Sequence, residues 1–154
     1  MLQAGLNVEI IDGDHYRMSL CKDLGFSKAD RCENIRRLGK VAAKFSGENK
    51  IAIIAAINPY EESRIEMRNK YGACLVYVCC GLETLIQRDT KGLYARALLP
   101  AENPERLSNL SGIDDPFDLP AKADLILNTE KESIEESTER LSSFIFNHLA
   151  SPSK

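Results

Sequence analysis

Two aspartates flank a glycine, Asp12-Gly13-Asp14, directly after a short apolar run, Val8-Glu9-Ile10-Ile11. Gly13 lets the backbone turn sharply, so both carboxylates can face one cleft. Carboxylates placed that way can accept the proton of a substrate hydroxyl or hold a hydrated divalent cation. The same triplet also reads as a plain surface turn, because Asp-Gly is common turn chemistry. A basic group follows: Arg17, Arg31, Asn34, Arg36 and Arg37. Arg31 and Asn34 are three residues apart and share a helical face. They fall in the first turns, where backbone N–H groups and the helix dipole favour an anion. Arg31 also precedes Ile35 by one turn and borders the buried face. A phosphate or sulfate clamp fits this pattern, and so does a solvated basic face. Phe26 could stack on a purine or staple the helix entry. Arg88-Asp89-Thr90-Lys91-Gly92-Leu93-Tyr94 opens a long polar stretch. A mobile Lys and Arg there could close over phosphates and exclude water; the bland alternative is a charged helix end.

Strands and helices must hold these groups in place. Ile51 to Ile57 is apolar throughout and is stopped by Asn58-Pro59, which predicts a strand buried on both faces. Ala73 to Cys80 is a second such run, and Asp124 to Asn128 a fourth strand. Ser27 and Asp30 predict a capped helix running to about Ser46, with Ile35, Leu38, Ala42 and Phe45 on one face. Shorter helices fit residues 60–70 and 82–88. Ser133 and Glu136 open a last helix whose inner face is Ile134, Leu141, Phe144, Ile145 and Leu149. Strands alternating with helices make a parallel α/β sheet, and such sheets bind ligands beyond the carboxyl ends of their strands. That directs attention to residues 12–14, 58–60 and 81–82. Residues 91–120, punctuated by Pro100, Pro104, Gly112 and Pro116, form a loop long enough to be a lid.

Bulk properties narrow the class. The 154 residues suit one domain, expected over 1–150 with a disordered tail at 151–154. A net charge of −3 gives no general attraction to nucleic acid or an anionic membrane. No apolar run is long enough to span a bilayer, and the first residues lack the features of a secretory signal. The five cysteines contain no C-x-x-C and read as buried free thiols in a reducing cytoplasm. With only His15 and His148 present, a Cys/His zinc site is not expected.

Taken together, the segment Ile11 to Arg37 (IDGDHYRMSLCKDLGFSKADRCENIRR), the segment Arg88 to Tyr94 (RDTKGLY) and Gly112-Ile113-Asp114-Asp115-Pro116 resemble three motifs of the adenylylsulfate (APS) kinases, in the family order. The resemblance covers about residues 6–146. It implies a three-layer sandwich of the P-loop NTPase type with a parallel sheet. It also implies transfer of the ATP γ-phosphate to the 3′-hydroxyl of adenylylsulfate, with Mg²⁺ accompanying ATP, and a chain that is often dimeric. Carried over, Asp12 and Asp14 lie beside the reacting hydroxyl and the metal, with Asp14 orienting the hydroxyl. Arg17, Arg31 and Asn34 hold the phosphosulfate and ribose, and Phe26 stacks on the APS adenine. Ile57, Asn58, Pro59 and Tyr60 line the substrate pocket. Lys91 comes down over the phosphates, and Arg88 packs near the ATP adenine. Two positions depart from the family: Asn58 stands where Ser is common before Pro-Tyr, and Leu110 stands where many members place an aromatic residue, making the second face of the adenine sandwich aliphatic. A kinase of the same fold with another hydroxyl acceptor, and a non-catalytic fragment that binds the sulfated nucleotide, are the alternatives.

The phosphate-loop pattern G-x-x-x-x-G-K-[S/T] does not occur in the 154 residues. Gly39-Lys40 is followed by Val41 and lies in mid-helix. Met1 to Ala4 reads as the end of a helix capped by Gly5. The expectation is therefore a first strand, phosphate loop and helix, on the order of 30 residues, missing ahead of this sequence. Without that central strand the four strands would remain as two pairs with facing unpaired edges.

Overall fold

A computed structural model describes residues 6–150. The element order is β1 (Val8–Asp12), α1 (Gly13–Arg17), α2 (Lys28–Gly47), β2 (Ile51–Ala55), α3 (Glu61–Tyr71), β3 (Val76–Cys79), α4 (Leu82–Arg88), α5 (Leu93–Ala97), β4 (Leu125–Asn128) and α6 (Ile134–Ala150). The chain divides into two compact units. The first runs to Ala73 and includes Phe117–Leu119; the second comprises Cys74–Pro116 and the chain from Pro120 onward. The expected helix end at residues 1–5 and the expected tail at 151–154 lie outside the described residues.

In the first unit β1 pairs in parallel with β2, in register from Val8 opposite Ile51 to Asp12 opposite Ala55. Parallel neighbours need a crossover, and α2 supplies it. Alternation along β1 sends Ile11 inward, fully buried, and leaves Ile10 69% exposed. Ile11 meets Ile35 and Leu38 of α2 and Met67 of α3, and these four form the buried core. The two-sided burial expected for 51–57 is not found: β2 is half-buried to exposed and ends at Ala55. α2 packs against both strands of this pair. Gly39 is a packing residue. A Cβ there would stand 2.6 Å from Met67 Sδ and 3.0 Å from Tyr71 Cε2, so glycine sets the close approach of α2 and α3.

The α2 start follows the expected cap. Ser27 Oγ accepts the Asp30 amide at 3.2 Å and donates to the Asp30 carboxylate at 2.7 Å. Ser27→Ala should lower the unfolding free energy of this unit by about 1 kcal/mol, read from chemical denaturation.

In the second unit β3 pairs in parallel with β4, in register from Val76 opposite Leu125 to Cys79 opposite Asn128. The strand is shorter than the apolar run 73–80, because Asp124 ties its start: Leu75 N–H donates to the Asp124 carboxylate at 2.7 Å. The cap of α6 is the predicted reciprocal pair: Ser133 Oγ accepts the Glu136 amide at 3.1 Å, and Glu136 accepts the Ser133 amide at 2.7 Å. Its inner face needs correction. Leu141, Phe144 and Ile145 are half-buried, but Ile134 is 81% and Leu149 48% exposed, since only the middle of α6 is covered. The long loop contains α5, which the sequence reading did not foresee. Asp89 organises it by accepting the Tyr94 and Ala95 amides at 3.1 and 2.8 Å. The Leu110 carbonyl gathers the amides of Ile113, Asp114 and Asp115.

Glu132 closes the turn between β4 and α6, accepting the Asn128 amide at 3.0 Å and pairing with Arg140. The backbone bond from Asn128, followed by Arg140, holds its carboxyl below the ordinary 4.5. A depressed carboxyl stabilises fully above its ordinary value and loses that contribution as the pH falls through the lower folded-state value. Glu132→Gln should therefore lower the melting midpoint at about pH 7 and converge on the wild type at about pH 2.

The thiols also differ from expectation. Cys21 and Cys32, both outside the strands, are buried; Cys79 and Cys80 are half-buried and Cys74 is exposed, so the apolar run does not bury its three. Among the described residues no helix is long and apolar enough to cross a membrane, and no three His, Cys, Asp or Glu side chains form a metal-binding group.

Candidate active site

The carboxyl end of β1 runs straight into α1, and Asp12 is the residue that joins them. Its Oδ1 accepts the Asp14 amide at 2.8 Å and the His15 amide at 3.1 Å, so the carboxylate caps α1. One oxygen of the expected carboxylate pair is therefore committed to the backbone, while the Asp14 side chain is exposed. Gly13 is glycine for a different reason from the sharp turn expected. It is the first residue of α1, and a Cβ there would meet Ala56 Cβ at 3.1 Å and the Ala55 carbonyl at 3.3 Å. Glycine brings Asp12 and Asp14 against the end of β2.

The α2 N-terminus supplies the next groups. Arg17 donates to the Gly25 carbonyl at 2.7 Å, and its guanidinium lies 4.6 Å from the Phe26 ring centre. Arg31 Nε donates to the Phe26 carbonyl at 2.9 Å, with its guanidinium 5.5 Å from the same ring. Phe26 is thus the entry residue ahead of the Ser27 cap, stapled to Arg31 by a cation–π contact. It still leaves 56% of its surface to solvent. Both readings of Phe26 meet in one side chain: the staple fixes it, and a free face remains for a flat partner. Arg31 is 9% and Asn34 6% exposed. Asn34 Oδ1 is buried with no hydrogen-bond partner among the described residues. A buried carboxamide oxygen in that state costs about 1–3 kcal/mol, and a ligand donor would remove that cost.

Arg36 and Arg37 drop out of the expected basic clamp. Arg36 Nε is 2.8 Å from Glu66, and Arg37 makes a two-pronged pair with Asp23 at 2.6 and 2.8 Å and bonds Glu33 at 3.2 Å. Both guanidinium groups neutralise carboxylates.

The loop after β2 forms the remaining wall. Ile57 is 60% exposed, while Pro59 and Tyr60 are buried. Asn58 adopts φ 43°, the left-handed region that Asn tolerates better than most residues. Its carboxamide takes the Ser63 hydroxyl, which also lies 2.8 Å from the Tyr60 carbonyl. Lys28 fastens this wall to α2: it pairs with Glu62 at 3.1 Å and lies 5.2 Å from the Tyr60 ring centre. Hydrogen bonding to Lys28, and then to Cys32, pulls the Glu62 carboxyl down. Burial, then the Glu62 bond, pushes the Cys32 thiol up, so Cys32 stays a protonated donor.

Ten of the expected site residues thus belong to the first unit: Asp12, Asp14, Arg17, Phe26, Arg31, Asn34, Ile57, Asn58, Pro59 and Tyr60. Arg88, Lys91 and Leu110 belong to the second. There Arg88 closes the end of α4, donating to the Thr129 carbonyl at 2.8 Å with Cys80 Sγ at 3.8 Å. Lys91 is exposed in the turn between α4 and α5, and Leu110 is half-buried. Sequence reasoning missed Lys28, Ser63, Arg64 and Asp118, which hold the wall in place. Of these, Arg64 carried a local signal, its helical i,i+3 pairing with Glu61.

The sequence matches the family model for adenylylsulphate kinase over residues 1–128, a span that runs through both units. The adenylyl-sulfate kinase of Synechococcus sp. (strain JA-3-3Ab) is 40% identical over 149 residues, covering 96% of this chain and 82% of that protein. The Bacillus velezensis adenylyl-sulfate kinase is 40% identical over 153 residues, covering 97% and 75%. Among solved structures, the Mycobacterium tuberculosis APS kinase in complex with AMPPNP and APS superposes with a TM-score of 0.82 at 33% identity, covering 94% of this chain and 83% of that one. With its α/β architecture and parallel strands, the chain has the P-loop NTPase fold of that kinase and belongs to the adenylylsulphate kinase family.

Proposed function

We propose that this chain binds adenylyl sulfate through its first unit and serves transfer of the ATP γ-phosphate to the 3′-hydroxyl of that nucleotide. The observation that carries the reading is the buried Asn34 Oδ1, without a hydrogen-bond partner among the described residues, on the same helix as buried Arg31, whose guanidinium meets the exposed Phe26 ring. Phe26 offers an aromatic face to the adenine, Arg17 and Arg31 offer positive charge to the phosphosulfate, and Asn34 offers an acceptor to a sugar hydroxyl. Asp14, exposed in the first turn of α1, is the group for orienting the attacking hydroxyl and receiving its proton. Ile57, Asn58, Pro59 and Tyr60 form the pocket wall, Lys91 approaches the phosphates, Arg88 approaches the ATP base and Leu110 lines the nucleotide. Residues 1–150 act as one kinase domain in this reading.

Mg²⁺ is bound in such sites by one or two carboxylates, waters and substrate phosphates. Asp12 and Asp14, adjacent at the start of α1, fit that donor set. The ion would supply charge neutralisation on the transferring phosphoryl group. Five free cysteines support a reducing compartment, and we place the chain in the cytoplasm.

The experiment is a thermal melt of the chain alone, with adenylyl sulfate, with AMP and with Mg-ATP, followed by an assay for the phosphorylated product. A midpoint raised by adenylyl sulfate and less by AMP supports the reading. No shift with adenylyl sulfate contradicts it. Binding without product would leave recognition of the sulfated nucleotide as the function of these residues.

A further inference from the structure

Arg64 is the fourth residue of α3 and is 6% exposed. Its Nε donates to the Asn58 carbonyl at 3.0 Å, Nη1 to Glu61 at 2.9 Å and Nη2 to the Asp118 carbonyl at 2.6 Å. Its guanidinium lies 5.2 Å from the centre of the Phe117 ring. Around it, residues 58–61 and 117–118 are laced in both directions. The Asp118 amide donates to the Pro59 carbonyl at 2.9 Å, and the Asp118 carboxylate accepts the Glu61 amide at 3.0 Å. Tyr60 occupies the N-cap position of α3 without a side-chain cap of its own. Asp118, 57 residues beyond Glu61, provides it by accepting the Glu61 amide.

A buried guanidinium costs several kcal/mol unless its donors and charge are answered. Here one carboxylate and two main-chain carbonyls answer it, and each carbonyl belongs to a different piece of chain. The chain leaves the first unit at Ala73 and visits it again only for Phe117–Leu119, near the end of the long loop. Arg64 is where that visit is fastened to the Asn58-Pro59-Tyr60 wall. A planar fork can reach both carbonyls at once; an ammonium cannot hold both with the same geometry.

We propose that Arg64 is a positioning residue for the substrate pocket, keeping Asn58-Pro59-Tyr60 and Phe117–Leu119 as one rigid piece while touching no ligand itself. The inference rests on the function proposed above. It implies that affinity for adenylyl sulfate depends on the fastening of a segment near the end of the long loop.

The test uses the full chain, as wild type, Arg64→Lys and Phe117→Leu. Three quantities are read: melting midpoint, amide exchange by residue, and affinity for adenylyl sulfate at fixed salt. In Arg64→Lys the Asp118 amide should lose protection by about a hundredfold and affinity should fall by about tenfold. The amides of α2 and β1 should keep their protection. Phe117→Leu, which removes the ring and no hydrogen bond, should shift both quantities the same way by less. A purely structural role would instead lower α2 protection in step with the midpoint. That pattern overturns the proposal, as does Arg64→Lys with Asp118 still protected, or with affinity within about twofold of wild type. A wild-type chain with no affinity for adenylyl sulfate overturns the functional reading itself, and is told apart by that single titration.

Discussion

Leu38→Ala is expected to lower the unfolding free energy of the first unit by about 3 kcal/mol, within the range of about 2–5 for buried leucines. Leu38 is fully buried and sits among Ile11, Ile35 and Met67, which are 0%, 3% and 6% exposed. These residues come from one strand and two helices, so the surroundings cannot collapse onto a cavity without moving elements against each other. The small size of the unit magnifies the effect, because a domain's whole stability is about 5–15 kcal/mol. The check is equilibrium denaturation followed by a probe in this unit. A loss under about 1 kcal/mol would mean that the α2 stripe is not the core. Leu38→Met, which nearly conserves volume, should cost about 1 kcal/mol or less.

Arg31→Ala is expected to weaken adenylyl sulfate binding by about a hundredfold. Two charge-assisted bonds to the phosphosulfate would contribute about 1.5 kcal/mol each, and the sum of about 3 corresponds to that factor. The substitution also removes the guanidinium beside Phe26 and the bond to its carbonyl, so the aromatic face loses its support. Arg31→Lys should recover only part of the loss, because an ammonium cannot donate from Nε to Phe26 and face an anion as a fork. Titration calorimetry at constant ionic strength measures it. Arg31→Ala binding within about threefold of wild type would reduce Arg31 to a structural part of the helix entry.

What could be read ahead of the structure follows the range of the interaction concerned. The start and core face of α2 were legible because Ser27 and Asp30 announce a cap and Ile35, Leu38, Ala42 and Phe45 repeat with the helix. The Ser133 and Glu136 cap of α6 was legible for the same reason. The five-residue helices α1 and α5 were not, since one turn and a half carries no periodicity. α5 depends on the Asp89 carboxylate, which looks like any charged loop residue before its two amide bonds are seen. The Asp12-Gly13-Asp14 triplet was found, but its geometry was misjudged, because the reason for Gly13 lies in Ala55 and Ala56, at and just past the end of another strand. The Arg64–Asp118 lacing spans 54 residues, and neither partner lies in a segment that reads as a motif. Long-range polar contacts of that kind leave no local trace.

The interleaving on α2 also bears on how this molecule can change. Arg31 and Asn34 share one buried stripe with Ile35 and Leu38. A substitution that reshapes ligand recognition there is simultaneously a substitution next to the core, and most such changes reduce stability. The wall at Ile57 and the ring of Phe26 stand on loops, where side chains vary at less cost to packing. A lineage drifting toward a different acceptor, or a laboratory selection for one, should therefore accumulate its first viable changes at Phe26 and Ile57. The α2 stripe would follow only after stabilising changes elsewhere had widened the margin.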